Sequence, residues 1–193
     1  MQQAHQQSLS IKDYLKGELE SEVRHEFYDG QVYVMAGAGR NHNTISLNIA
    51  SRLRQGSRGT SCSSFMADMK LYIAELERFY YPDILLSCDE SDNHEYYSEK
   101  PCLVVEVLSP STEGIDRREK LHAYQNIPSL HEYVMVAQDE QKVELYRRDG
   151  EHWQHFLLDE NDTLQLECID IALPMRDIYE DVVFKPRDEM IAN

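Results

Sequence analysis

The chain has 193 residues, 41% of them hydrophobic, and carries 35 acidic against 19 basic side chains for a formal net charge of -16. That length fits one domain with a sizeable core, and the acidity argues against indiscriminate binding to nucleic acid, because a polyanion is repelled at long range. No apolar run approaches the roughly 20 residues of a membrane span. The opening MQQAHQQSLS also lacks the basic and apolar stretches of a secretory signal, so a cytoplasmic location is expected.

Residues 1–9 read as a polar tail, 10–184 as a single domain and 185–193 as a C-terminal tail. Ser10 is placed to cap a short helix from Ile11 to about Lys16. Val23–Tyr28 and Gln31–Met35 flank Asp29-Gly30, a strong signal for a β-hairpin. Gly37-Ala38-Gly39 ends that ribbon, and a helix follows from about Asn41 to Arg54, with His42, Ile45, Ile49 and Leu53 along one face. Met69–Ile73 is a plausible strand within a mixed stretch. Ile84–Leu86 and Leu103–Leu108 are unbroken apolar runs, as suits strands buried on both faces of a sheet covered by helices. A helix from about Asp116 to Tyr124 comes next, then a strand at Glu132–Val136 and a second hairpin around Asp149-Gly150. Leu164–Leu166 and an element around Ile178 complete an α/β (α+β) chain with a mixed sheet.

Two carboxylates stand out. Asp83 follows Tyr81-Pro82 at the mouth of one apolar strand, and Glu106 lies inside the other. An ionised Glu among aliphatic neighbours costs several kcal/mol or more unless it is protonated, paired or bound to a cation. Alternation puts Glu106 on one face with Val104 and Leu108. Asp116, Lys120 and Tyr124, four apart, form one helical stripe that a short connection lays against that face. Hard carboxylate oxygens suit Mg2+ or Mn2+, and such a metal polarises a phosphoryl group and activates water.

The ordered set Pro82-Asp83, Glu106-Val107-Leu108-Ser109-Pro110-Ser111-Thr112, Asp116, Lys120 and Tyr124 resembles the core of the Uma-two family, within the PD-(D/E)xK nuclease superfamily. Glu26 before Asp29-Gly30, Met35-Ala36-Gly37, His42 and Glu132-Tyr133-Val134 extend the resemblance over roughly residues 10 to 150. It implies a restriction-endonuclease-like core with a central mixed β-sheet flanked by helices, Mg2+ or Mn2+ as cofactor, hydrolysis of phosphodiester bonds in DNA, and often a homodimer. By the same resemblance, Asp83 and Glu106 hold the metal, Lys120 assists catalysis, Glu26 is an accessory carboxylate and His42 a supporting or substrate-facing group. One departure matters: the ExK position after Glu106 is Leu108, and Lys120 from the following helix takes over.

Plainer readings stand beside these. Glu106 and Lys120 could form a structural ion pair, which adds little stability over apolar replacements. Arg117, Arg118 and Lys120 look like an exposed helix face, Glu26 like a solvent-facing strand residue, and His42 like a core histidine. Two rival functions follow: a catalytically silent nuclease-fold interaction module, favoured by Leu108 and the acidity, and a phosphodiesterase for small substrates, which needs no long basic groove.

Other chemistries are not supported. The eight histidines show no HxxxH spacing, and His152 and His155 point to opposite strand faces. Gly37-Ala38-Gly39 lacks the Lys-Ser/Thr of a phosphate loop, and Ser109, Ser111 and His122 form no recognisable nucleophile arrangement. Arg52, Arg54, Arg58 and Lys70 are candidates for a phosphate-contacting rim. Cys62, Cys88, Cys102 and Cys168 include no CxxC pair, so zinc-site spacing is absent and four reduced thiols are expected.

Overall fold

Ser10 caps the first helix as its position suggests, its hydroxyl accepting from the Asp13 N–H at 3.1 Å, and α1 runs Ile11–Glu20. The structure, a computed structural model, describes residues 9–35, 37–110 and 112–184. Both expected tails, apart from Leu9, lie outside the described residues, as do Ala36 and Ser111 of the motif segments. Asp29 (φ 53°) and Gly30 (φ 73°) supply the paired positive φ angles that a tight hairpin turn needs between β1 (His25–Tyr28) and β2 (Gln31–Val34). Helix α2 spans Arg40–Gly56.

The strands that follow are β3 (Ser63–Met66), β4 (Lys70–Ile73), β5 (Arg78–Tyr80), β6 (Ile84–Ser87), β7 (Tyr97–Ser98) and β8 (Leu103–Leu108). A continuous helical segment comes next: α3 (Glu113–Ile115), a π-helical stretch over Asp116–Lys120, and α4 (Leu121–Gln125). The chain finishes with β9 (Glu132–Ala137), the hairpin β10 (Val143–Asp149) and β11 (His152–Leu158), the ribbon β12 (Thr163–Leu166) and β13 (Ile171–Pro174), and α5 (Met175–Ile178).

The central sheet is mixed, as expected, with six strands in the order β11-β10-β9-β8-β6-β3; β8 and β9 are parallel and the other neighbours antiparallel. Every residue of β6, β8 and β9 is buried. Alternation splits them between two cores. Val105, Val107, Ile84 and Val134 pack under Ile45, Ile49 and Leu53, the apolar stripe of α2. Val104, Leu108, Leu85 and Tyr133 face the other way, against Tyr124 of α4 and Leu71, Ile73 and Tyr80.

Those last three residues belong to a second sheet, ordered β2-β1-β5-β4-β7. Helices were expected to cover both faces of the central sheet; on this side the helical segment shares the task with five further strands. Strands β3, β5 and β7 are legible only in the fold, because they have two to four residues and no clear apolar alternation. Tyr14 of α1 seals the outer side of the second sheet, stacking on Phe27 at 5.0 Å.

The hairpin turn offers a direct check on this architecture. Gly30→Ala places a side chain at positive φ, which costs about 1 kcal/mol. We expect the urea midpoint to fall accordingly with an unchanged m-value.

Candidate active site

The antiparallel register sets the site. Ile84 lies opposite Val105, so Asp83, one residue before β6, meets Glu106 in β8. The Val107 N–H donates to Asp83 Oδ2 at 2.7 Å, and the Asp83 N–H points to Glu106 Oε2 at 3.4 Å. The two carboxylates are thereby held by each other's strands. Glu106 is 3% exposed and Asp83 is partly open to solvent.

Lys120 is 4% exposed, which rules out the reading of a solvated helix face. Its ammonium lies 3.0 Å from Glu26 Oε1, 3.1 Å from Glu106 Oε1 and 3.2 Å from Asp116 Oδ1. Arg117 and Arg118 turn outward instead: Arg117 pairs with Glu113 and Glu144, and Arg118 donates to the Gly114 carbonyl. The π-helical stretch carries Asp116 and Lys120 together, and such local widening of a helix recurs at functional sites. One turn on, the Tyr124 hydroxyl donates to Glu106 Oε1 at 2.8 Å.

Glu26 reaches this cluster from the second sheet. It is buried rather than solvent-facing, and the Tyr81 N–H donates to its Oε1 at 3.3 Å. His42, in the first turn of α2, comes from the other side and sets its Nε2 3.1 Å from Asp83 Oδ2. All five residues expected at the site therefore converge. Asp116 and Tyr124 join them; the sequence marks these two as stripe neighbours of Lys120 and as members of the resembling motif set, without a role at the site. The signal was present in their four-residue spacing.

All of these residues but the fully buried Tyr124 line a cleft of about 490 Å³, bordered also by Tyr28, Tyr81 and the Gly37–Gly39 segment. None of Arg52, Arg54, Arg58 and Lys70 is among the described residues that line it. Arg52 pairs with Asp177 near the far end of α2, and Lys70 is buried with its ammonium 3.4 Å from the Tyr81 hydroxyl.

The electrostatics are one-sided: Glu26, Asp83, Glu106 and Asp116 surround a single ammonium. Burial pushes the Glu106 carboxyl well above its ordinary range; Lys120 opposes this, while Asp116, Asp83 and Glu26 add to it. Burial alone would depress the Lys120 ammonium, but Glu106, Glu26 and Asp116 outweigh it and hold it well above its ordinary value. Lys120 stays charged, and the surplus negative charge is relieved by a proton or a further cation. Asp116 Oδ1 shows the same shortage, since it is buried without a properly aligned hydrogen-bond donor.

A mixed central sheet, flanking helices and carboxylates meeting across two strands define a restriction-endonuclease-like fold. A solved structure from Anabaena variabilis described as a "putative nuclease belonging to DUF820" superposes with a TM-score of 0.74, covering 91% of this chain and 99% of that one at 16% identity. The family model described as "Putative restriction endonuclease" (Uma2) matches residues 11–176, and the chain belongs to this Uma-two family. Two relatives from Synechocystis sp. are similar over most of their length. The uncharacterized protein slr1290 is 33% identical over 91% of this chain and 94% of its own, and the uncharacterized protein sll1609 is 34% identical over 74% and 82%.

The charge balance predicts how the cluster supports the fold. Lys120→Met leaves Glu26, Glu106 and Asp116 without their cation, which costs about 3–5 kcal/mol at neutral pH. The raised Lys120 value means that its stabilisation is complete below about pH 10.5 and is lost only as pH rises through the folded value. In the variant, the deficit shrinks as pH falls, because the Glu106 carboxyl, already raised by burial, loses the cation that opposed the rise and takes up a proton more readily. Urea unfolding of both proteins at pH 5 and pH 7.5 measures the difference.

Proposed function

We propose that this protein is an endonuclease that uses Mg2+ or Mn2+ to hydrolyse phosphodiester bonds in DNA, with the metal held by Asp83 and Glu106. The observation that carries the reading is the meeting of Asp83, Glu106 and Lys120 at one solvent-reachable cleft. The donor set fits such an ion: hard carboxylate oxygens, and more negative charge than Lys120 neutralises. When bound, the metal supplies Lewis-acid polarisation of the phosphoryl group and a more acidic water.

The chain's own groups do the positioning. Lys120 Nζ, held by Glu26, Glu106 and Asp116, sets its positive charge beside the two metal-binding carboxylates and would assist the attacking water there. Tyr124 fixes the rotamer of Glu106 through Oε1 and leaves Oε2 facing Asp83. His42 holds Asp83 through Oδ2. Gly39 begins α2 without a side-chain cap and the Gly37–Gly39 segment lines the cleft, which sets the start of that helix beside the place a phosphate would occupy. The homodimer implied by the family is part of this proposal, placing two such sites on one duplex.

A second reading, hydrolysis of a small phosphodiester, draws on one observation. Among the described lining residues, Lys120 is the only Lys or Arg, and it is already surrounded by carboxylates. A cleft of that charge suits a compact substrate better than a long duplex.

With Mn2+, the purified chain is expected to nick supercoiled plasmid or cut single-stranded DNA. Glu106→Gln and Lys120→Ala are expected to lower the rate by roughly 100-fold or more. Glu106→Gln keeps the shape and relieves a buried charge, so it should match or exceed the wild type in urea stability. Loss of activity then reads on chemistry and not on folding. Equal rates in wild type and both variants would overturn the enzyme reading. Cleavage of bis(p-nitrophenyl) phosphate with DNA left intact would favour the small-substrate reading.

A further inference from the structure

The four cysteines, dispersed in sequence, meet at one place. Cys62 precedes β3 and Cys88 follows β6, and the register pairing Ser63 with Ser87 sets the two opposite each other. Cys102 precedes β8, and its N–H donates to the Leu86 carbonyl at 2.8 Å, beside Cys88. Cys168 follows β12, and its N–H donates at 3.0 Å to Oε2 of Glu132, whose own N–H donates to the Cys102 carbonyl. The structure pairs Cys62 with Cys88 and Cys102 with Cys168 as disulfides, in place of the free thiols expected from the sequence.

Two disulfides that merely staple strands have no need to touch. These two abut: Cys88 Sγ lies 3.6 Å from Cys102 Sγ, and the sulfurs of Cys88, Cys102 and Cys168 all lie within 4.8 Å of one another. Tetrahedral Zn2+ with Zn–S bonds of about 2.3 Å needs sulfurs about 3.8 Å apart, so the gap between the pairs already has the length of a tetrahedral edge. Cys62 lies outside that group of three and is tied to it through its bond to Cys88, so on reduction the fourth thiolate reaches the common centre by turning about its own side-chain bonds. All four residues are partly exposed and pack against the core beneath α2, which leaves reductant and metal a way in and gives the site an apolar floor.

We propose that the reduced chain binds one Zn2+ through the thiolates of Cys62, Cys88, Cys102 and Cys168. With a phosphine as reductant, each disulfide gains two electrons from phosphorus and two protons from a water whose oxygen ends on the phosphine. The four thiols then release four protons as the Zn–S bonds form. The site stands apart from the carboxylate cluster. Asp83 and Cys88 lie at opposite ends of β6, five residues and roughly 17 Å apart. Their chemistry differs too: soft thiolates select Zn2+, whereas the carboxylates suit Mg2+ or Mn2+. The thiolate site would clamp β3, β6, β8 and the β12-β13 ribbon at the end of the sheet remote from the cleft.

The test uses the full chain, reduced with a phosphine, with its thiols counted before Co2+ is added under anaerobic conditions. Expected are four thiols, one Co2+ per chain with the visible bands and near-ultraviolet charge-transfer absorption of a tetrathiolate, and displacement by one Zn2+. Cys62→Ser and Cys168→Ser, checked for folding by circular dichroism, should each weaken binding by roughly 100-fold or more. Glu106→Gln should leave the spectrum unchanged, so the outcome is independent of the proposed nuclease activity. A reduced chain without the thiolate spectrum, a spectrum that survives both serine variants, or disulfides that resist the phosphine in the folded chain would each overturn the proposal.

Discussion

One buried ammonium holds this molecule's two sheets to a common purpose. Lys120 enters from the helical segment, and the carboxylates it binds come from three places: Glu26 from the second sheet, Glu106 from the central sheet, and Asp116 from its own helical segment. Without that charge the interior would hold several uncompensated carboxylates, each of which costs far more than a lost apolar contact. A core designed for stability alone would place aliphatic residues there. The cluster trades stability for a concentration of oxygen donors at the mouth of a cleft, as is characteristic of functional sites.

The framework around the cluster keeps the donors in register. Parallel and antiparallel neighbours of β8 fix Glu106, and the hydrogen bond from Val107 to Asp83 ties the second carboxylate to the same strand. Above and below, α2 and the helical segment approach from opposite faces, so His42 and Lys120 reach the two carboxylates from opposite sides. The far end of the same strands collects the four cysteines. The central sheet thus presents a hard-oxygen cluster at one end and a sulfur cluster at the other, both created by strand pairing.

Much of this was legible in the sequence because the signals are local. Asp29-Gly30, the stripe of α2 and the apolar runs of β6 and β8 each announce an element, and a Glu inside such a run announces a site. Lys120 was legible through its spacing from Asp116 and Tyr124. What the sequence did not disclose depends on long-range pairing. Strands β5 and β7, which complete the second sheet, are too short to show a period, so the burial of Glu26 could not be read from its hairpin. The cysteine cluster is the clearer case: spacings of 26, 14 and 66 residues carry no ligand motif, and only the pairing of β3 with β6 and β6 with β8 brings the sulfurs together. The basic rim failed for a related reason, since helix length carries Arg52 away from the cleft that His42 faces.

The role of the carboxylate cluster as a cation site can be put to a crystallographic test. A crystal of the protein soaked in Mn2+ and measured at the manganese absorption edge should give an anomalous peak between Asp83 and Glu106, at the roughly 2.0–2.2 Å from their oxygens usual for a small divalent ion. Lys120 should remain against Glu26 and Asp116 beside it. A map with no peak there at saturating Mn2+, and Glu106 still held by Lys120 and Tyr124 alone, would contradict this account and leave the cluster a structural ion network.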